Sequence, residues 1–418
     1  MTTDRRQVDL STVATKSRRW THVLIAMALV GCARPPVTFD AVAEGYVRVS
    51  LQLAQHDATL VEDWRGTDAW RPGPRIPVAS VLDRIEALRR ELDRAPAPQG
   101  SRARRDYLAG QLRALHFSAR RLLGESAGID DQASDEFGVA FSRVDPARIA
   151  AVHADIDEAL AGPGPLADRF QRLKAGTIIP ADRRQSVMKA ALAACRGRAT
   201  AVLPLPATER VTLAFSRGLG WDGYARYAGG HRTNIEINDD APLDLSRAIR
   251  LACHEGYPGH HVQNLLIDEL SWPELELSPG FGPHLLFTEG AAEAGTDLAI
   301  SETERVSLIR GQLMPLAGLP VQLAGTLVHV ESLVGELLPV VTDVARQYLD
   351  GRLSRERALE RLRNEALVSN PDGTLALIER RRARALVYGE GRLIVNSKMP
   401  DPSLTALHRL FTSAITLQ

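Results

Sequence analysis

At 418 residues, 44% hydrophobic and 24% charged, the chain can bury a large core, arranged as one big domain or as two lobes. Its formal net charge is zero, and no basic stripe accompanies an aromatic platform. That is an ordinary globular composition, and it argues against a nucleic-acid partner.

Along the chain, Arg18 and Arg19 precede an apolar run from Val23 to Gly31, which ends at Cys32. Residues 1–31 read as a lipoprotein signal peptide and Cys32 as the acylated first residue of the mature chain. The run is far short of the ~20 residues a membrane-spanning helix needs, so membrane contact is expected only through a lipid anchor at Cys32. The expected location is the cell envelope or periplasm. Residues 32–45, with Pro35 and Pro36, read as a tether.

From there the hydrophobic period is helical, and the fold class expected is mainly α. Val81–Leu92 and Tyr107–Leu123 carry apolar residues at three- and four-residue spacing. Asp145-Pro146 is an N-cap followed by proline, opening a helix that runs to about Leu160. Residues 46–215 are taken as an N-terminal helical lobe and 216–418 as a second lobe carrying the chemistry. Thr233–Asn238 alternates with period two and predicts a small β element. Val321–Leu349 predicts a long core helix kinked at Pro339, followed by helices over Ser354–Leu367 and Leu375–Val387.

The densest chemistry lies in Leu251–Leu265, where His254, Glu255, His260 and His261 fall within eight residues around Pro258-Gly259. Neutral imidazoles are good ligands for a borderline-soft divalent ion, and a carboxylate beside the first ligand can act as general base. Pro258 stands four residues after His254, so the helix must kink or bulge there. At 3.6 residues per turn a residue seven positions on returns to nearly the same face. That favours His261 as partner of His254, with His260 the alternative. Glu289, Glu293 and Asp297 recur every four residues over a helix-forming stretch. Glu289 is the expected third ligand, and Glu293 or Asp297 the carboxylate that orients a ligating imidazole. The small residues Gly290, Ala291, Ala292, Ala294 and Gly295 suit close helix packing, which sets this stripe apart from a solvated face. Cys195 and Cys253 are free to form a disulfide outside the cytoplasm, though Cys253 is read as a buried packing thiol.

HEGYPGHH followed by TEGAAEAG resembles the bacterial domain-of-unknown-function 885 family, whose pattern is HExxPGHH with a later EGW-type helix. That family is similar to the glutamate-zincin metallopeptidases, which are mainly helical and hold one zinc ion with His, His and Glu. The match is complete over His254–His261. It departs at Ala291, where the pattern has tryptophan, and at Arg380–Arg384, which replaces a proline-rich segment before Tyr388. The resemblance implies a zincin-like helical domain with lobes around a groove. It further implies zinc on His254, the second histidine and Glu289, with Glu255 as base. In such peptidases an edge strand before the metal helix pairs with the substrate main chain, the role expected of Thr233–Asn238.

The function expected is a zinc-dependent hydrolase cleaving peptide or small amide bonds. Tyr388 is the expected oxyanion stabiliser, with His231, Tyr257, Arg382 and Arg384 behind it. The competing readings are a non-catalytic envelope lipoprotein with a structural metal site, and a hydrolase of small non-peptide amides or esters.

Overall fold

Helix α1 (Phe39–Ala54) opens on Thr38, whose hydroxyl accepts from the Ala41 N–H. It therefore begins within the 32–45 segment expected to be a tether, and Phe39, Val42, Tyr46 and Val47 are buried. The computed structural model describes residue 2, residues 38–96 and residues 102–413, so the signal segment and Cys32 lie outside the described residues. After α1 come β1 (Val61–Trp64), α2 (Val78–Arg94) and α3 (Arg102–Leu122). In α2 the buried positions Val81, Ile85, Leu88 and Leu92 keep the spacing that predicted the helix. The chain continues through α4 (Ile129–Gln132), α5 (Pro146–Ala159), α6 (Leu166–Ala175) and α7 (Arg184–Thr200). As expected, the Asp145 carboxylate caps α5, accepting from the Ala147 and Arg148 N–H groups.

Strands β2 (Arg210–Ser216), β3 (Gly223–Tyr227) and β4 (Arg232–Asn238) form a sheet in the order β2-β4-β3. β4 contains the predicted strand, with Thr233, Ile235 and Ile237 buried. It is the central strand, parallel to β2 and antiparallel to β3, so it is not the edge strand expected from the resemblance. The edges are β2 and β3, and β3 is the one that begins against Glu255. Helices α8 (Leu245–Leu251) and α9 (His260–Leu270) follow, then β5 (Leu277–Pro279), which pairs with β1, and α10 (Gly282–Ala299). α10 is buried on nearly every side, as a core helix should be.

The last third is α11 (Glu302–Leu308), α12 (Met314–Ala317), α13 (Leu323–Gly335), α14 (Leu338–Leu349), α15 (Arg355–Asn364), α16 (Pro371–Arg381), α17 (Val387–Ser397) and α18 (Leu404–Ser413). The predicted kink at Pro339 separates α13 from α14 at 44°. Among the described residues no single helix is long and apolar enough to cross a membrane. The helix expected over Leu375–Val387 is instead broken at Arg382, which adopts φ +53°. There Arg382 donates to the Ala127 carbonyl and the Ala383 N–H to Gln132, tertiary bonds that override the local helical pattern.

The core does not divide at residue 215. One apolar cluster joins Phe39, Tyr46, Ile85, Tyr107 and Leu112 to Leu286, Phe287, Val395 and Phe411. A second joins Ile156, Phe170 and Met188 to Ile235, Leu251, Val262 and Leu327. Of the first helices α3 packs on α10, and all three share an apolar cluster with α10 and α17, so they do not form a lobe of their own.

Candidate metal centre

α8 does not stop at Leu251. It passes into a five-residue π turn, Ala252–Gly256, all of it buried. The chain then leaves helical geometry over residues 257–259 and restarts as α9 at His260. Gly259 is required at this reversal: a Cβ there would lie 1.8 Å from the His254 carbonyl oxygen. The Cys195–Cys253 disulfide ties the π turn to α7, in place of the packing thiol expected of Cys253. Closing a loop of sequence separation 58 is worth about 4 kcal/mol in chain entropy.

The break resets the helical phase. His260, and not His261, comes back onto His254, with ring centroids 4.7 Å apart and planes at 88°. Ligand atoms of His254, His260 and Glu289 all lie within 4.8 Å of one another. His254 Nε2 is 3.2 Å, and His260 Nε2 3.5 Å, from Glu289 Oε2. Each ring has a polar partner behind it, an ion pair for His254 and a hydrogen bond for His260. His254 Nδ1 lies 3.1 Å from Glu293 Oε1, and Glu293 is paired in turn with Arg250 at 3.1 Å. His260 Nδ1 lies 2.9 Å from Gln263 Oε1, and Gln263 donates its amide N–H to the Thr288 carbonyl. With the amide turned that way, Nδ1 carries the proton and both Nε2 atoms face the cluster.

Glu289 reaches the histidines because α10 and α17 touch backbone to backbone. A Cβ on Gly290 would lie 2.3 Å from the Gly391 carbonyl carbon. The small residues after Glu289 thus serve the close packing expected of them. One turn before Gly391, Tyr388 is brought to 6.0 Å from the His254 ring, at the rim and 38% exposed. Glu255 is buried, its carboxylate lies against Gly223 at the start of β3, and among the described residues no hydrogen bond occupies it.

Carboxylates outnumber cations here, and the proton affinities show it. Burial opposes charge on His254, but Glu289 and Glu293 outweigh it and push its pKa up to about 10. Burial would raise Glu289, yet His260 and His254 hold it well below the usual carboxylate range. Glu293, held mainly by Arg250 against the same burial, sits at about 2. Glu255 is pushed up, chiefly by burial and further by Glu289. The Tyr388 hydroxyl is held protonated first by the Glu289 charge, then by burial.

Several expected residues stand elsewhere. His261 is fully buried on the far side of α9, with Nδ1 2.8 Å from Thr233 Oγ1 and Nε2 3.2 Å from Glu209 Oε2. Tyr257 also donates to Glu209 and does not face the cluster. His231 sits in the turn between β3 and β4, its Nδ1 2.8 Å from Thr208 Oγ1, at the opposite end of β3 from Glu255. Asp297 is exposed and pairs with Arg392 at 2.9 Å, so Glu293 alone of the two backs His254. Arg382 and Arg384 bind Ala127, Glu136 and Ser118 and brace the core behind α17.

Sequence reasoning missed Glu62 on β1, whose charge bears on Glu289 and His260 and which pairs with Arg381 at 3.8 Å. Tyr224 on β3, its pKa raised to about 12 by burial and then by Glu62, was missed too. No local signal marks either. Arg250 could have been found, because it precedes His254 by four residues on one helix face.

The Glu209 cluster is a separate support. Burial pushes Glu209 up, but the Tyr257 hydroxyl and Arg196 hold its pKa below the usual value. A depressed acid stabilises the fold above its unfolded pKa, and loses that contribution as pH falls through the folded one. Glu209→Gln is therefore expected to cost about 2 kcal/mol at pH 7, a gap closing below roughly pH 4. Urea unfolding of both proteins at the two pH values measures it.

No protein-family model matches the chain, and no curated protein matches it in sequence. Several solved structures resemble it, among them the following three. A candidate lipoprotein from Colwellia psychrerythraea has TM-score 0.50 and 16% identity, over 92% of this chain and 75% of that one. A candidate lipoprotein of unknown function from Shewanella oneidensis has TM-score 0.45 and 12% identity, over 81% and 71%. A chain named BsuCP has TM-score 0.39 and 11% identity, over 91% and 89%. The likeness to the first is one of fold.

Proposed function

We propose that this chain is a metal-dependent hydrolase of peptide or amide bonds, using one zinc ion held by His254, His260 and Glu289. The observation that carries the reading is the convergence of those three donor atoms beside an unbonded buried carboxylate, Glu255. Two imidazole nitrogens and one carboxylate oxygen are the donor set of a catalytic zinc site, which keeps a position open, whereas a structural site is usually closed by four protein ligands. The excess of carboxylates fits a dication. A zinc ion there would polarise a substrate carbonyl and lower the pKa of water.

The chain's own residues supply the rest. Glu255 accepts a proton from the attacking water and delivers it to the leaving amine, a role suited to a carboxylate whose pKa burial has raised. Tyr388, kept protonated by Glu289, donates its hydroxyl hydrogen bond to the oxygen that gains charge. Glu293 with Arg250, and Gln263, hold the two imidazoles in register. The edge strand β3 offers unpaired backbone groups to an extended substrate, in the role first expected of β4. Glu62 on β1, Gly223 on β3 and Tyr388 in α17 are the groups around the cluster that a bound substrate would meet. Membership of the domain-of-unknown-function 885 family is part of the same reading.

Export with a lipid anchor at Cys32 completes the proposal. It draws on the apolar run that ends at Cys32, on the disulfide, which persists in oxidising compartments, and on the likeness in fold to the candidate lipoprotein from Colwellia psychrerythraea. The test is to purify the chain from residue 32 onward, measure bound metal, and profile cleavage of a peptide mixture with and without chelator. About one zinc per chain is expected, with cleavage abolished by chelation and restored by zinc. Bound zinc with no cleavage of peptides, amides or esters would favour a bracing metal instead.

A further inference from the structure

Three elements leave the metal cluster and end at one cleft. β1 carries Glu62, whose charge bears on the cluster, and two residues on, about 7 Å, Trp64. α9 begins with His260 and eight residues later, about 12 Å, carries Asp268. β3 starts at Gly223 against Glu255 and about 13 Å on reaches Tyr227, whose hydroxyl donates to Asp268. The cleft where they arrive has a volume of about 650 Å³, and its walls include Trp64, Trp70, Trp272, His231, Asp268 and Glu276.

The lining chemistry is selective. Trp64 and Trp70 stack with centroids 5.8 Å apart and planes at 17°. Two carboxylates line the cleft and, among the described residues, no lysine or arginine does; Arg104, paired with Glu274, lies over the Trp272 ring at 5.9 Å, which leaves Trp70 as the indole for an incoming cation. Arg65, lying over the Tyr227 ring, reaches Asp268 at 3.8 Å and Glu276 at 3.5 Å, which leaves one negative charge uncompensated. Indole faces beside carboxylates attract an alkylammonium or guanidinium group, the first through the ring quadrupole and the second by charge.

We propose that this cleft is a distal substrate subsite for a lysine or arginine side chain, two to four residues from the cleaved bond. The spacing follows from 7–13 Å at ~3.3 Å per extended residue. The proposal rests on the hydrolase reading of the metal centre, and its test separates the two.

Alanine-rich decapeptides with one central lysine, norleucine or glutamate are titrated into zinc-supplied Glu255→Gln protein, with tryptophan fluorescence as readout. Cleavage positions are mapped by mass spectrometry with the unsubstituted protein. The lysine peptide is expected to bind about tenfold more tightly than the norleucine peptide, and the glutamate peptide more weakly than either. That preference should shrink to within about twofold in Trp70→Ala and in Glu276→Gln, a single cation–π or charge contact being worth little more. Cleavage should fall two to four residues from the lysine. Equal affinities for the three peptides, no saturable binding, or a preference surviving both substitutions would overturn the subsite. Cleavage without lysine selectivity would remove the subsite alone. Lysine-selective binding without any cleavage would remove the hydrolase reading and leave a cation-binding cleft.

Discussion

Glu255→Gln is expected to keep its zinc and lose about a thousandfold in kcat, the middle of the range for a general base. The substitution is nearly isosteric, so the packing of the side chain against Gly223 and the π turn is preserved. Glu255 is not among the three converging donors, hence metal content should stay at the wild-type value. What changes is the proton. The amide cannot take one from water, nor return one to the leaving group. KM should move little, because no ground-state contact of the substrate is removed. The readouts are zinc by elemental analysis and kcat on whichever peptide the wild type cleaves. A zinc-replete variant with wild-type kcat would end the base assignment and send attention to Tyr388 or Glu62.

What the sequence revealed, and what it hid, follows a physical line. Helices α2, α3 and α5 were legible because their signals are local: apolar spacing in the first two, and the Asp145 cap with Pro146 in the third. The start of α1 was hidden behind Pro35 and Pro36, although Thr38 is a good N-cap. β4 was legible as a strand from its alternation, but not as the central strand. Its position in the sheet depends on β2 and β3, whose pairing is a tertiary fact. The metal-competent residue types were legible in the same way, packed into eight residues and one later helix. Their partners were not, because Glu62 lies near the other end of the chain and Glu209 some fifty residues upstream of His261, and neither carries a motif. Likewise Tyr388 could be nominated from its surroundings, whereas its approach to His254 depends on Gly290 meeting Gly391 across two helices.

The sharpest case is the pair of adjacent histidines, where counting on an ideal helix and the folded geometry disagree. Counting turns each residue by 100° and so pairs His254 with His261. The π turn widens the helix at Ala252–Gly256, and the non-helical stretch before α9 then starts a new phase at His260. His260→Ala is accordingly expected to lower zinc affinity by at least about a hundredfold, the upper end of what losing even an outer partner of a ligand costs. Its fold should survive, since the ring is partly exposed and its contacts are Gln263, Glu289 and the His254 ring, all of the cluster itself. His261→Ala should do the opposite. It keeps the three donors and the zinc, but removes a ring bonded to Thr233 and Glu209 in the core, at a cost of about 3 kcal/mol. Zinc competition against a chromogenic chelator, with urea unfolding of the same two proteins, separates affinity from stability. Zinc loss in His261→Ala, with retention in His260→Ala, would restore the partner that helix counting favours and overturn the cluster described here.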